Sequence, residues 1–162
     1  MNWRILGVFA IAWLAFLTMP IFLPALKLAY FAPFLIISYY RYGYFIALFF
    51  SYCAGLLIDL YCVETRLGFY TLVYIATTVV LYEKKQRFFE DNASTLPIMS
   101  FLFGVVSTAF QWILLFFLER SVTLTIDFFV ADFLVMPALD ALYSLLFIPL
   151  FFRRSFKRTQ HF

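Results

Sequence analysis

Six apolar segments separated by short polar breaks make up almost the whole chain. A helix needs about 20 predominantly apolar residues to cross the hydrocarbon core of a bilayer, and several of the segments reach that length. Too few residues remain for a separate soluble domain. We therefore predict an all-helical integral membrane protein, a single six-span transmembrane helix bundle with approximate spans at 5–23, 28–40, 44–63, 68–82, 96–118 and 128–152.

The composition supports this class of protein and excludes others. Hydrophobic residues make up 65% of the 162 residues and charged residues only 13%, so the chain has too little polar surface to cover a soluble core of this size. The net charge of +3 does not indicate nucleic-acid binding, because the basic residues lie at the ends of the apolar segments. Basic residues at these positions usually set the orientation of a membrane protein.

The basic residues are unevenly distributed between the two sides of the predicted bundle. With six spans and both termini in the cytoplasm, nine lie inside and three outside, the latter being Lys27, Arg66 and Arg120. Positive residues accumulate on the cytoplasmic side of membrane proteins. A five-span chain with its amino terminus outside exchanges Arg4 with Lys27 and gives the same ratio. The pattern therefore places the carboxyl terminus in the cytoplasm and leaves five or six spans open, of which we favour six.

The second segment, 28–40, is short and contains Pro33. As a helix its 13 residues would extend about 20 Å, less than the thickness of the hydrocarbon core. The segment either spans a locally thinned bilayer or is re-entrant. The aromatic residues around one arginine at its end predict a belt at the membrane interface, formed by Tyr39, Tyr40, Arg41, Tyr42 and Tyr44.

The third segment carries small residues and a carboxylate at a spacing of four. Ala47, Ser51, Gly55 and Asp59 lie on one face of a helix, and in a membrane such a stripe allows another helix to approach closely. A carboxylate costs about 2.5–3.5 kcal/mol at the centre of a spanning helix, so we expect a neighbouring group to pair with Asp59. We number the helix predicted for this third segment, 44–63, as α3, name these four residues the α3 stripe, and predict that they form a helix-packing or partner-binding surface.

Further polar residues lie within the last two apolar segments. The sixth segment contains Asp132 and Asp140, and Asp140 is predicted near the middle of the membrane. Gln111 is the nearest residue by depth to pair with Asp140. The fifth segment carries a second series of small or polar residues along one side, namely Ser100, Gly104, Ser107, Thr108 and Gln111.

Three interpretations of Asp59, Asp132 and Asp140 are open. We favour structural polar contacts between helices, followed by a role in gripping the transmembrane helix of a partner. Ion or substrate transport comes last, because transporters usually contain more intramembrane polar groups and broken helices.

No sequence motif points to an enzyme. The chain lacks HExxH, GxSxG and Gly-rich phosphate-binding motifs. Cys53 and Cys62 stand nine residues apart on one predicted helix, about 13.5 Å along its axis, which is beyond the reach of a disulfide. We therefore predict no catalytic residue, no metal site and no cofactor.

Several short motifs, in their order along the chain, resemble the MreD family. They are Pro33-Phe34-Leu35-Ile36, Gly55-Leu56-Leu57-Ile58-Asp59-Leu60 and Leu67-Gly68, followed by a charged loop, two further spans and a basic tail. The resemblance covers nearly the whole chain. It implies a non-enzymatic scaffold of the bacterial inner membrane, part of the rod-shape (elongation) machinery that controls cell shape and lateral peptidoglycan synthesis.

The same resemblance implies the partners. A member of the MreD family would bind the bitopic periplasmic protein MreC and act with the actin-like MreB, the glycosyltransferase RodA and its transpeptidase partner. The resemblance also adds Gly68 to the candidate residues for partner binding or helix packing. The sequence leaves open which helix contacts which partner, whether the protein self-associates, and whether it binds a lipid or small ligand.

A rival of another class has a similar outline. The substrate-binding subunits of energy-coupling-factor vitamin transporters are small six-span proteins, and the MreD family is similar to them in fold. They typically carry an Ala-x-x-x-Ala pattern in the first span, where the energising partner docks. In this chain the first segment has Ala10, Ala12 and Ala15, no two of them four residues apart. We therefore favour the scaffold.

Overall fold

The computed structural model describes residues 3–22, 29–61, 67–85, 94–118 and 131–148. Within these ranges all regular structure is helical and no strand occurs. The described part contains six helices, each overlapping one of the six apolar segments. They are α1 (Trp3–Phe22), α2 (Ala32–Arg41), α3 (Tyr44–Tyr61), α4 (Phe69–Lys84), α5 (Thr95–Leu118) and α6, which starts as a π-helical segment (Ala131–Val135) and continues as an α-helix (Met136–Leu145).

Proline and glycine residues help to set where three of the helices begin. Pro33 lies in the first turn of α2, and Pro137 in the first turn of the α-helical part of α6. Proline is tolerated there because the first backbone N–H groups have no partner within the helix. Gly68 precedes α4 with a φ of 94°, a left-handed conformation that favours glycine.

Helix α2 lies at the centre of the bundle. All residues from Ala32 to Tyr39 are buried, and the helix contacts α1, α3, α5 and α6. A helix buried on all sides belongs to the interior of a protein. Its ten residues extend about 15 Å, half the hydrocarbon thickness of a bilayer. The second apolar segment thus contains a helix that is shorter than predicted and too short to cross an undistorted bilayer.

The prediction of an interfacial aromatic belt is wrong for Tyr39, which is fully buried. Because α2 is short and surrounded by other helices, its last turn is covered by them. Tyr44 is half-buried, and its ring packs against the ring of Tyr82 on α4 at a centroid distance of 5.0 Å. These aromatic side chains therefore contribute to packing between helices.

The remaining helices form two closely packed pairs. Helix α3 packs against α4, and α5 packs against α6, while a contact between α4 and α5 joins the pairs. Helix α1 meets the bundle through aromatic rings. Phe9 contacts Phe34 on α2, and Phe16 contacts Tyr61 at the end of α3.

Two helices in the described part are long and apolar enough to cross a membrane, Tyr44–Tyr61 and Thr95–Phe117. Only 33% and 28% of these stretches are buried within the protein. Their outer faces carry large apolar side chains such as Phe49, 61% exposed, and Phe117, 77% exposed. A core helix of a soluble protein would be mostly buried, so this exposure favours a lipid environment for the two helices.

Candidate functional site

The α3 stripe faces the neighbouring helix α4. Ala47, Ser51, Gly55 and Asp59 are all buried. Three of them, Ser51, Gly55 and Asp59, directly contact residues of α4. In this structure the neighbour of the stripe is therefore another helix of the same chain.

Gly55 lies where the two helices come closest. A Cβ atom on residue 55 would stand 2.5 Å from the Cα atom of Thr71 and 3.0 Å from the carbonyl oxygen of Tyr70. Both atoms belong to the backbone of the first turn of α4, which cannot yield as a flexible side chain could. Glycine at this position is thus what allows the beginning of α4 to rest on α3.

Asp59 binds the beginning of α4. Its Oδ2 atom accepts hydrogen bonds from the backbone N–H of Gly68 at 3.1 Å and from the N–H and hydroxyl of Thr71 at 3.0 Å and 2.6 Å. Its Oδ1 atom accepts one from the N–H of Tyr70 at 2.9 Å. The first N–H groups of a helix lack partners within the helix and carry a partial positive charge. A carboxylate accepts hydrogen bonds from these N–H groups and opposes their partial positive charge. The structure thus brings two of the candidate residues, Asp59 and Gly68, into direct contact.

A chain of buried hydroxyl groups connects three helices. The Thr78 hydroxyl donates to the Ser51 hydroxyl at 2.7 Å, and the Tyr39 hydroxyl lies 2.8 Å from that of Thr78. All three side chains are fully buried. The sequence predicted a different role for Tyr39, in an interfacial belt, and none for Thr78, although Thr71 and Thr78 stand seven residues apart and so share a helical face.

Lys85 binds the end of α2. Its Nζ atom donates to the backbone carbonyl of Tyr39 at 2.7 Å and lies 3.7 Å from the centroid of the Tyr82 ring. The last carbonyl groups of a helix carry a partial negative charge, which a cation stabilises, and the ring face adds a cation–π attraction. No pattern in the sequence indicated this role for Lys85.

Asp140 lies at the opposite end of α2. It is only 3% exposed, and its Oδ1 atom accepts a hydrogen bond from the backbone N–H of Ala29 at 2.7 Å. Ala29 in turn accepts a bond from the N–H of Ala32, the first residue of α2. The short central helix therefore has a carboxyl group at its beginning and an ammonium group at its end, each supplied by another part of the bundle.

The hydrogen bond that Asp140 accepts in the described part of the chain comes from the N–H of Ala29 and not from the expected Gln111. A Cβ atom on Gly104 would stand 2.9 Å from Asp140 Oδ2 and 2.9 Å from Pro137 Cβ, so Asp140 lies level with Gly104. Gln111 is half-buried and stands seven residues, about 10.5 Å, further along α5. The close contact of Gly104 with Pro137 sets this register between α5 and α6.

Asp132 occupies a different position from the other two aspartates. It lies in the π-helical segment at the start of α6 and is half-buried. Its backbone carbonyl lies 3.5 Å from the Thr108 hydroxyl of α5. Within the described residues, no three His, Cys, Asp or Glu side chains come together in a group that could hold a metal ion.

Helices α5 and α6 also border a shallow apolar groove on the outside of the bundle. Its volume is about 480 Å³, and it is lined by Pro97, Ile98, Phe101, Ala138, Ala141, Leu142 and Leu145. The hydroxyl oxygens of Ser100 on α5 and Tyr143 on α6 are buried without a hydrogen-bond partner in the described part of the chain.

The buried polar side chains of the described part fall into two groups. Those that connect different parts of the bundle are Ser51, Asp59, Thr71, Thr78 and Asp140, whereas Ser38, Thr77, Ser107 and Ser144 bond to carbonyl groups of their own helices. Comparison of the chain with protein-family models, with curated proteins and with solved structures found no match.

Proposed function

We propose that the protein is a non-enzymatic scaffold of the bacterial inner membrane and acts in the rod-shape (elongation) machinery, as its resemblance to the MreD family implies. In this proposal it is a multi-pass protein with a cytoplasmic carboxyl terminus. It binds MreC and works with MreB, RodA and the transpeptidase partner of RodA. Through these partners it helps to control cell shape and lateral peptidoglycan synthesis.

The proposal depends on what the two buried carboxyl groups in the described part of the chain bind. Asp59 binds the beginning of α4, and Asp140 binds the residue that leads into α2. A transporter needs intramembrane charged groups for its ion or substrate. In this protein both groups hold parts of the backbone in place, which supports a structural role over transport.

The motif residues that underlie the resemblance support the same conclusion. Gly55, Asp59 and Gly68 stand apart in the sequence but form one contact between α3 and α4. This contact holds the beginning of α4 against α3. A rigid helix pair is what a scaffold needs to present a constant surface to its partners.

The experiment that tests the proposal is purification of the tagged protein from native membranes in a mild detergent, followed by mass spectrometry. We expect MreC to be recovered in a constant ratio to the protein. An unrelated inner-membrane protein of similar size, tagged in the same way, is the control. Recovery of a vitamin or of a pair of transporter ATPases instead of MreC would contradict the proposal and favour the energy-coupling-factor transporter.

A further inference from the structure

Helix α2 has polar contacts at both ends, and other parts of the bundle supply them. At its beginning, Asp140 of α6 accepts a hydrogen bond from the N–H of Ala29, whose carbonyl accepts one from the N–H of Ala32. At its end, Lys85, which directly follows α4, donates a hydrogen bond to the carbonyl of Tyr39. Helix α2 therefore joins α6 to the end of α4.

The side chains between these two contacts are mostly apolar. All residues from Ala32 to Tyr39 are buried, the Ser38 hydroxyl bonds to a carbonyl of α2 itself, and the Tyr39 hydroxyl bonds to Thr78 near the end of the helix. Lipid chains are as apolar as these side chains, so a bundle in a membrane lacks the hydrophobic driving force of a soluble core. The polar contacts at the two ends therefore contribute a large share of the free energy that keeps α2 in place.

Helix α2 is too short for its two ends to leave the bundle independently. Its ten residues form about three turns, and an isolated helix of fewer than about 12 residues is only marginally stable. The Leu35 N–H bonds to the Phe31 carbonyl in the first turn, and the Tyr42 N–H bonds to the Ser38 carbonyl in the last. About one turn lies between these two bonds. Fraying of either end leaves too little helix to hold the other.

We propose that α2 leaves and re-enters the bundle as one unit, so that the Asp140 contact with Ala29 and the Lys85 contact with Tyr39 form and break together. Such units open at a lower free energy than the whole protein. The two contacts lie at opposite ends of a helix about 15 Å long. An anionic group that binds the Lys85 ammonium group in place of the Tyr39 carbonyl would thus also loosen the contact at Asp140, which couples the two positions. All four residues belong to this chain, so the coupling needs none of the proposed partners.

Hydrogen–deuterium exchange of the full chain in detergent, read by mass spectrometry of overlapping peptides, tests whether both ends open together. Lys85→Met removes the contact at the end of α2. The exchange rates of the Tyr42 and Leu35 amides should both rise by the same factor, about fivefold or more, because one hydrogen bond that holds the unit is lost. The rate of the Thr77 amide, in the middle of α4, should not change. The matched control is Lys84→Met at the exposed neighbouring residue, which should leave all three rates unchanged.

Asp140→Leu makes the reciprocal change at the beginning of α2. The Leu35 and Tyr42 amides should again exchange faster by one common factor, and the combination with Lys85→Met should give the product of the two single factors. Asp140→Asn keeps an oxygen that can accept the bond from Ala29, so its effect should be smaller than that of Asp140→Leu. If Asp140→Leu does not accumulate, Lys85→Met decides alone, because Leu35 belongs to the turn farthest from Lys85.

Faster exchange confined to the turn next to the substituted residue would show that the two ends fray independently and would overturn the proposal. An equal increase at Thr77 would overturn it as well, since the bundle would then open as a whole, and so would unchanged exchange at Leu35 and Tyr42. Recovery of MreC tests the proposed function separately, so neither result for α2 changes that test.

Discussion

Gly55 and Thr71 are in backbone contact: a Cβ atom on residue 55 would stand 2.5 Å from the Thr71 Cα. This contact brings the beginning of α4 against α3 and lets Asp59, one turn further along α3, reach the first N–H groups of α4. The glycine and the carboxylate of the α3 stripe are therefore two parts of one joint between the helices.

The first prediction concerns Gly55→Ala. One added methyl group would overlap the backbone of Thr71, and overpacking of this kind destabilises a protein by about 1–3 kcal/mol. The midpoint of thermal unfolding in detergent should fall. The control is Gly43→Ala, where a Cβ atom meets nothing within 4 Å. Equal midpoints for the two variants would show that α3 and α4 are not in close contact at Gly55.

Helical periodicity explains why part of this joint could be predicted. The spacing of four places Gly55 and Asp59 on one face whatever surrounds the helix, and the high cost of a carboxylate in a membrane predicts a partner for it. The donors were not predictable, because Tyr70 and Thr71 belong to the next helix. Their approach depends on how the chain turns between α3 and α4.

The second prediction concerns Asp59→Asn. An asparagine has one acceptor oxygen and one NH₂ group in place of two oxygens. Its NH₂ group would face either the N–H of Tyr70 or the donors of Gly68 and Thr71. A buried donor left without a partner costs about 1–3 kcal/mol. The free energy of unfolding, measured with a denaturant in detergent, should fall by about 1 kcal/mol or more. An unchanged value would contradict the four hydrogen bonds that Asp59 accepts.

The third prediction concerns Asp140→Asn, which should be milder. Asp140 accepts one described hydrogen bond, from Ala29, and the oxygen of asparagine can accept it as well. We expect a loss of stability of at most about 1 kcal/mol, the net value of one hydrogen bond, with cell-shape function retained. Asp140→Leu, which leaves the Ala29 N–H without a partner, should destabilise more. Loss of function in Asp140→Asn at a normal protein level would instead indicate ion or proton chemistry.

The fourth prediction concerns Lys85→Met. The change removes the bond to the Tyr39 carbonyl and the contact with the Tyr82 ring but keeps much of the apolar stem. The loss should be about 1–2 kcal/mol in the free energy of unfolding. Lys84→Met makes the same change at the exposed neighbouring residue and should stay within about 0.5 kcal/mol of the parent protein. Similar losses for both variants would contradict the role of Lys85 at the end of α2.

The position of α2 shows what sequence patterns cannot supply. The short segment with Pro33 predicted a helix of unusual length, yet nothing in it indicated that α2 would be the centre of the bundle. The contacts at its two ends join residues far apart in the chain, Ala29 with Asp140 and Tyr39 with Lys85. Gln111 was predicted as the partner of Asp140 from its depth in the membrane alone. Depth does not determine the register between α5 and α6, which the close contact of Gly104 with Pro137 sets.

The proposed role in the rod-shape machinery is tested most directly by the shape of host cells from which the protein has been depleted. The gene would be placed under an inducible promoter and cell width followed by microscopy after the inducer is removed. We expect the cells to widen and become round as the protein disappears, and to regain the rod shape when the wild-type chain is expressed again. Cells that keep their width after the protein is gone, while their uptake of a vitamin falls, would contradict the scaffold and indicate a transporter.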